Sequence, residues 1–242
     1  MALLWFASPA QADGCRLALV LALDVSGSVD AREDRLQREG LARALLAPEV
    51  VRAFLSGDPV AVYVFEWSGP FSQVTMPPGW QMVETREDLV HIAANVEGRS
   101  WTGSESTNRT TAVGAALNYA AAALDLAPNC RARVVDISGN GVSNIGPNPQ
   151  AIYATGRLDD VTVNALIIAE EHEHLGQLQA PAHDASLIAW FEAEVLRGPG
   201  AFSITAGGYG DYERAMRVKL ERELQLPLVS GLPSRGLERP SG

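Results

Sequence analysis

The chain has 242 residues, with 29 Asp and Glu against 19 Lys and Arg, giving a formal net charge of -10. Hydrophobic residues make up 47% and charged residues 20%, an ordinary soluble composition with enough apolar material for one large α/β domain or two small ones. The acidic balance argues against nucleic acid and an anionic membrane surface as partners, and no apolar run of about 18 residues offers a transmembrane segment.

At the start, Met1 to Phe6 is apolar, and Ala10-Gln11-Ala12 before Asp13 has the small-x-small pattern of a signal-peptide cleavage site. Residues 1–12 are expected to be a signal-peptide remnant, which directs the chain to the periplasm or out of the cell; a frayed terminus is the alternative. Cys15 and Cys130 are the only cysteines, and their spacing does not suit a metal. Each stands just before an apolar run, Leu17 to Leu23 and Val134-Val135. If those runs are neighbouring parallel strands, both thiols share one end of the sheet and a disulfide is geometrically reasonable. Two buried free thiols are the competing account.

Strand-like runs at 17–25, 60–67, 133–138, 161–168 and 201–205 alternate with helix-like stretches at 30–46, 86–95, 111–126, 149–155, 186–196 and 209–224, and 73–76 reads as a short edge strand. This alternation predicts an α/β fold: a doubly wound, mainly parallel six-stranded sheet flanked by helices on both faces, with one short antiparallel edge strand. Asp30 with Glu33 has capping-box spacing, and Thr110 or Thr111 is placed to begin the third helix. No linker divides the chain, so 13–226 is expected to be one domain. Residues 227–242, rich in Pro, Gly, Ser and charge, are expected to form a mobile tail.

The first strand runs into Asp24-Val25-Ser26-Gly27-Ser28. Alternate residues of an extended segment project to one side, so one carboxylate and two hydroxyls converge beyond the strand's end. Such hard oxygen donors suit Mg²⁺, Mn²⁺ or Ca²⁺. An ordinary Ser/Gly turn with an Asp cap accounts for the pentapeptide equally well.

Asp24-x-Ser26-x-Ser28, the segment Thr111-Ala-Val-Gly-Ala-Ala-Leu117 and a strand ending in Gly139-Asn140-Gly141 together resemble a von Willebrand factor type A (vWA) domain with a metal-ion-dependent adhesion site. The likeness runs from Cys15 to about Leu224. Glu66-Trp67-Ser68-Gly69 and Gly198-Pro-Gly-Ala-Phe202 are similar to an uncharacterised branch of secreted bacterial members. The resemblance implies that Ser26, Ser28 and Thr111 supply hydroxyl oxygens and Asp24 a carboxylate, with Thr110 the runner-up for Thr111. It puts the family's second Asp at Asn140, which keeps a carbonyl oxygen but lacks the negative charge. Asn140 also precedes Gly141, a pairing that opens its amide to deamidation.

Other signals carry less. Asp136, four residues before Asn140 on one strand, lies too far along it to coordinate an ion with Asn140, and it needs a hydrogen-bond partner or a raised pKa. Glu170-Glu171-His172-Glu173-His174 reads as a solvated acidic loop, with zinc binding the minor alternative. Glu66 and Trp67 are candidates for the rim of the binding face, with Trp67 equally suited to pack under a loop; residues 98–109 with Trp101 are a candidate recognition loop, and Asn108-Arg109-Thr110 matches a glycosylation sequon. No Gly-x-Ser-x-Gly, phosphate-binding loop or His-Glu-x-x-His occurs, and a general base is hard to nominate, so an enzyme is not expected. The resemblance instead implies an exported adhesion-type domain that binds a protein through Mg²⁺ (or Mn²⁺ or Ca²⁺), an Asp or Glu of the partner completing the metal shell. The alternative is a vWA scaffold whose metal site is weakened or lost at Asn140, acting as a metal-independent interaction module.

Overall fold

The computed structural model describes residues 15–99, 110–169 and 180–225. The expected signal remnant, most of the 98–109 loop, the acidic stretch 170–174 and the tail lie outside the described residues. The unbroken apolar run of β1 (Leu17–Asp24) is buried along its whole length. It lies between β2 (Val60–Trp67) and β5 (Ala132–Gly139), both parallel to it. Beyond β5 come β6 (Thr162–Ala169) and β7 (Ser203–Gly207), also parallel. On the outer edge of β2, β3 (Gln73–Thr75) and β4 (Gln81–Val83) pair antiparallel, one after the other. The sheet order is β3-β2-β1-β5-β6-β7 with β4 also on β2, seven strands among the described residues. The mainly parallel α/β architecture follows the sequence expectation, with β4 as a second short antiparallel strand. Three residues are too few to show a period, so β4 left no trace in the pattern.

Alternate residues of β1 feed two separate cores. Leu17, Leu19, Leu21 and Leu23 pack towards α1 (Ala31–Leu46), α2 (Pro48–Phe54), α3 (Arg86–Glu97) and α7 (Tyr212–Gln225). Ala18, Val20 and Ala22 face α4 (Val113–Leu124), α5 (Pro149–Tyr153) and α6 (Ala180–Glu194). The smaller side chains meet the Ala-rich α4, whose Ala116, Ala120 and Ala121 are buried there.

Asp30 caps α1, accepting from the Arg32 and Glu33 N–H groups at 2.7 and 2.8 Å, while Glu33 accepts from the Asp30 N–H at 2.8 Å. α2 was not anticipated. Its signal is Pro48 at the helix start with Glu49 in the first turn, the position where a missing N–H costs nothing. Neither Thr110 nor Thr111 caps α4: its N-cap is Ala112, which makes no side-chain cap bond. Cys15 and Cys130 are joined in a disulfide, with Cα atoms 4.5 Å apart and 115 residues between them in sequence. Among the described residues, no helix is long and apolar enough to cross a membrane.

The chain order along the sheet reverses at β1, which has β2 on one side and β5 on the other. In open α/β sheets this is where a crevice opens at the strands' C-terminal ends. Asp24 and Gly139 are the last residues of the two strands that flank it.

Candidate functional site

Three segments bring oxygen atoms together at that crevice. The Thr111 hydroxyl donates to Ser26 Oγ at 3.3 Å, Ser26 Oγ lies 3.4 Å from Ser28 Oγ, and Ser28 Oγ donates to Asn140 Oδ1 at 2.8 Å. Asp24 closes the group: its Oδ1 accepts from the Ser26 N–H at 2.7 Å, and the Asn140 N–H also bonds its carboxylate. Asp24, Ser26, Thr111 and Asn140 are buried, whereas Ser28 is exposed and opens the group to solvent. All five residues that the sequence singled out are therefore neighbours. Thr110 Oγ1 instead sits beside Gly69, which decides between the two threonines.

The Thr111 hydroxyl points at Ser26 instead of at the first turn of α4, which is why Thr111 is not a cap. Its main chain is fixed by Asn144, whose Oδ1 accepts from the Thr111 N–H at 2.8 Å and whose N–H donates to the Thr111 carbonyl at 2.9 Å. On the other side, the Gln37 amide donates to the Asp24 carbonyl at 2.8 Å. Sequence reasoning missed both supports. Gln37 carried a usable signal, a polar residue four before Leu41 on the apolar stripe of α1.

Asp24 is the only ionisable side chain of the group. Its Oδ2 is buried and accepts from no described residue. A Cβ added at Gly139 would lie 3.4 Å from that oxygen, 3.1 Å from the Phe191 ring and 3.7 Å from Trp67, so its surroundings are mostly apolar. Burial pushes the Asp24 carboxyl up to about 6, against the hydrogen bonds from Ser26 and Asn140. A buried carboxylate oxygen without a donor is answered by a proton or by a cation. The donor set of one carboxylate, three hydroxyls and an amide carbonyl is hard, and it fits a cation such as Mg²⁺ rather than a soft metal. Among the described residues no cluster of three or more His, Cys, Asp or Glu offers another metal site.

The rim reading of Glu66 and Trp67 needs correction, and for Trp67 the packing alternative holds. Trp67 is fully buried in the α4-side core, and Glu66 is nearly so, its Oε2 accepting from Arg99 Nε at 2.6 Å. Both follow from β2 being an interior strand over most of its length. The exposed apolar residues near the crevice are Phe71, 98% exposed, with Val142 and Ile145. They stand on two adjoining loops, since a Cβ at Gly146 would touch Pro70 at 3.5 Å.

A family model described as "Protein of unknown function (DUF1194)" matches residues 14–227. The chain belongs to the DUF1194 family. Among curated proteins none matches it. Solved structures similar to this DUF1194 chain are vWA-like. The von Willebrand factor type A protein from Catenulispora acidiphila has a TM-score of 0.53 at 14% identity, covering 87% of this chain and 43% of its own. The pilus adhesin SpaC from Lactobacillus rhamnosus GG, in an open conformation, gives 0.54 at 14%, covering 87% and 30%. Proximal thread matrix protein 1 from the mussel byssus, with a zinc-occupied MIDAS motif, gives 0.50 at 13%, covering 85% and 47%. The DUF1194 chain spans less than half the length of each, and the likeness establishes a vWA-like fold.

Proposed function

We propose that this chain is an exported adhesion-type domain whose β1–β5 crevice binds a divalent cation, Mg²⁺ or in its place Mn²⁺ or Ca²⁺, and through it an acidic side chain of a protein partner. The observation that carries this reading is the convergence of Asp24, Ser26, Ser28, Thr111 and Asn140 oxygens from three segments, with one buried carboxylate oxygen that has no donor among the described residues. Ser26, Ser28 and Thr111 would hold the ion by hydroxyl oxygens, Asn140 by its carbonyl, and Asp24 would supply the negative charge. When bound, the ion supplies a Lewis-acidic position for a carboxylate that the acidic chain would otherwise repel. Exposed Phe71, Val142 and Ile145 give the same rim an apolar shoulder of the kind protein partners bury. The zinc-occupied MIDAS motif of the mussel protein and the adhesin relative support the reading. The disulfide supports export, to the periplasm or beyond. On the same reading, 13–226 is the functional domain.

One observation favours the second reading, a metal-independent module. The three hydroxyls and the Asn140 carbonyl form one connected chain of side-chain contacts, from Thr111 through Ser26 and Ser28 to Asn140. Calorimetry separates the two. Cation binding to the parent, lost in Asp24→Ala and Ser26→Ala while both variants stay folded, supports the metal site. Equal heats from parent and variants defeat it. If only Asn140→Asp binds the ion, the site has lapsed in the form encoded here.

A further inference from the structure

Asn140 is the chain's only asparagine followed by glycine. It stands just past the end of β5, outside the strand ladder. Its own side chain is buried, but Gly141 is half-buried and the neighbouring Ser28, bonded to it, is exposed to water, so water reaches the group from that side. Gly141 does not have a positive φ, and a Cβ built on it would meet nothing within 4 Å. Neither backbone conformation nor packing therefore requires glycine there. What glycine does supply is an unhindered backbone nitrogen next to the Asn140 side chain. Ser28 Oγ donates to Asn140 Oδ1 at 2.8 Å. This polarises the amide carbonyl and is placed to stabilise negative charge developing on that oxygen if a nucleophile adds at Cγ.

We infer that Asn140 is the precursor of an aspartate, and that its deamidation installs a second carboxylate in the crevice cluster. This deepens the cation-binding reading and rests on it. In the chemical step the Gly141 nitrogen bonds to Asn140 Cγ, the Cγ–Nδ2 bond breaks, and Nδ2 leaves as ammonia with the proton that Gly141 gave up. Water then opens the five-membered imide. Attack at Cγ breaks the new bond to nitrogen and yields aspartate; attack at the main-chain carbonyl yields isoaspartate, with the chain rerouted through the side chain. The ladder that ends at Gly139 and the Asn144–Thr111 bonds hold the chain on both sides of the ring, which favours the product that keeps the original main chain. Water is the one co-reactant, and nothing is oxidised or reduced.

The consequence follows from charge count. The encoded cluster opposes a dication with one carboxylate, and sites of this chemistry are tuned largely by the number of charged ligands. Conversion would add a carboxylate where an amide oxygen already meets Ser28. Two acids, Asp24 and residue 140, would then repel each other unless an ion or proton lay between them.

The test uses the full chain, purified promptly and then held at mildly alkaline pH. Peptide mass mapping, with fragmentation that separates aspartate from isoaspartate, is run beside Mn²⁺ calorimetry on the parent, Gly141→Ala and Asn140→Asp. The added Cβ of Gly141→Ala has free space, so this variant folds while hindering ring closure. The expected result is aspartate accumulating at 140 in the parent alone. Mn²⁺ affinity should rise on the order of tenfold or more, towards that of Asn140→Asp. An amide that survives in the parent as long as in Gly141→Ala overturns the inference, as does conversion mainly to isoaspartate with no gain in affinity. If Asn140→Asp itself binds Mn²⁺ no better than fresh parent, the cation-binding reading is what fails, and the mass data still report separately whether conversion occurred.

Discussion

Two buried aspartates sit on neighbouring strands and do different things. Asp24 ends β1 at the crevice, with an oxygen that has no donor among the described residues. Asp136 lies inside β5 facing α7, its Oδ2 2.8 Å from Lys219 Nζ, while Lys219 also meets Glu223 Oε1 at 2.6 Å. This is an ion pair rather than a hydrogen bond, since neither Asp136 oxygen accepts one from a described residue, and of the two expected answers it is the raised pKa that applies. Facing α7 and away from the crevice, Asp136 reads as structural. Burial pushes the Asp136 carboxyl up to about 7; Lys219 opposes this and Glu223 adds to it, with the Tyr212 phenol, itself raised by burial, also close. A folded-state pKa above the unfolded value means the native state binds the extra proton. The stabilisation is therefore full below about pH 4 and is lost as pH rises to about 7. Asp88 and Asp211 are shifted down by hydrogen bonds and act in the opposite sense, losing their contribution only as pH falls below the ordinary carboxylate range. Urea melts from pH 4 to 8 should show the decline in the parent and a flatter profile in Asp136→Asn. An unchanged slope in that variant would mean that Asp136 titrates normally.

At the scale of elements, α7 is fastened to the sheet by a polar seam within an apolar interface. Ser138 Oγ pairs with the Tyr212 hydroxyl at 2.9 Å, and Asn164 Nδ2 donates to Glu223 Oε1 at 2.8 Å. Lys219 is wholly buried between its two acids. Little of this was legible in the sequence. α7 reads as a charged amphipathic helix, and the burial of its lysine, the only one in the chain, depends on polar residues in two distant strands. Removing the cation leaves two buried acids facing each other, so Lys219→Met should cost about 3–5 kcal/mol, read from its denaturation midpoint. Gly114 is the contrasting case. It was legible as a fixed position in the Thr111 segment, and the fold supplies the reason: a Cβ there would stand 2.0 Å from the Pro147 carbonyl oxygen. Gly114→Ala must push the 143–148 loop off α4. A cost of about 1–3 kcal/mol is expected, with loss of the Asn144–Thr111 bonds and of cation binding. Normal stability and binding in this variant would show that the loop is free to move.

Across the whole molecule, the two strands that carry the site also carry the disulfide, at their opposite ends. Cys15 precedes β1 and Cys130 precedes β5; Asp24 ends β1, and Asn140 follows β5. Reading β1 and β5 as neighbouring parallel strands thus accounts for the bridge and for the place of the crevice, whereas Thr111 and Asn140 were legible only through the vWA resemblance. What remained hidden was short or depended on the third dimension: β4, α2, and the burial of Trp67 behind a strand edge that β3 covers. The separation also predicts how the two features respond to mutation. A bridge closing 115 residues restricts the unfolded chain by about 4–5 kcal/mol in the loop-entropy account. Its native-state role is confined to one end of strands already paired along their length, with registers from Leu17↔Ala132 to Ala22↔Ile137. Replacing both cysteines by alanine should therefore lower the melting temperature markedly, yet leave the Mn²⁺ heat per folded molecule close to that of the parent. A matching loss of cation binding below the melting transition would mean that strain at one end of β1 and β5 reaches the other, and that the sheet is not the rigid spacer its pairing implies.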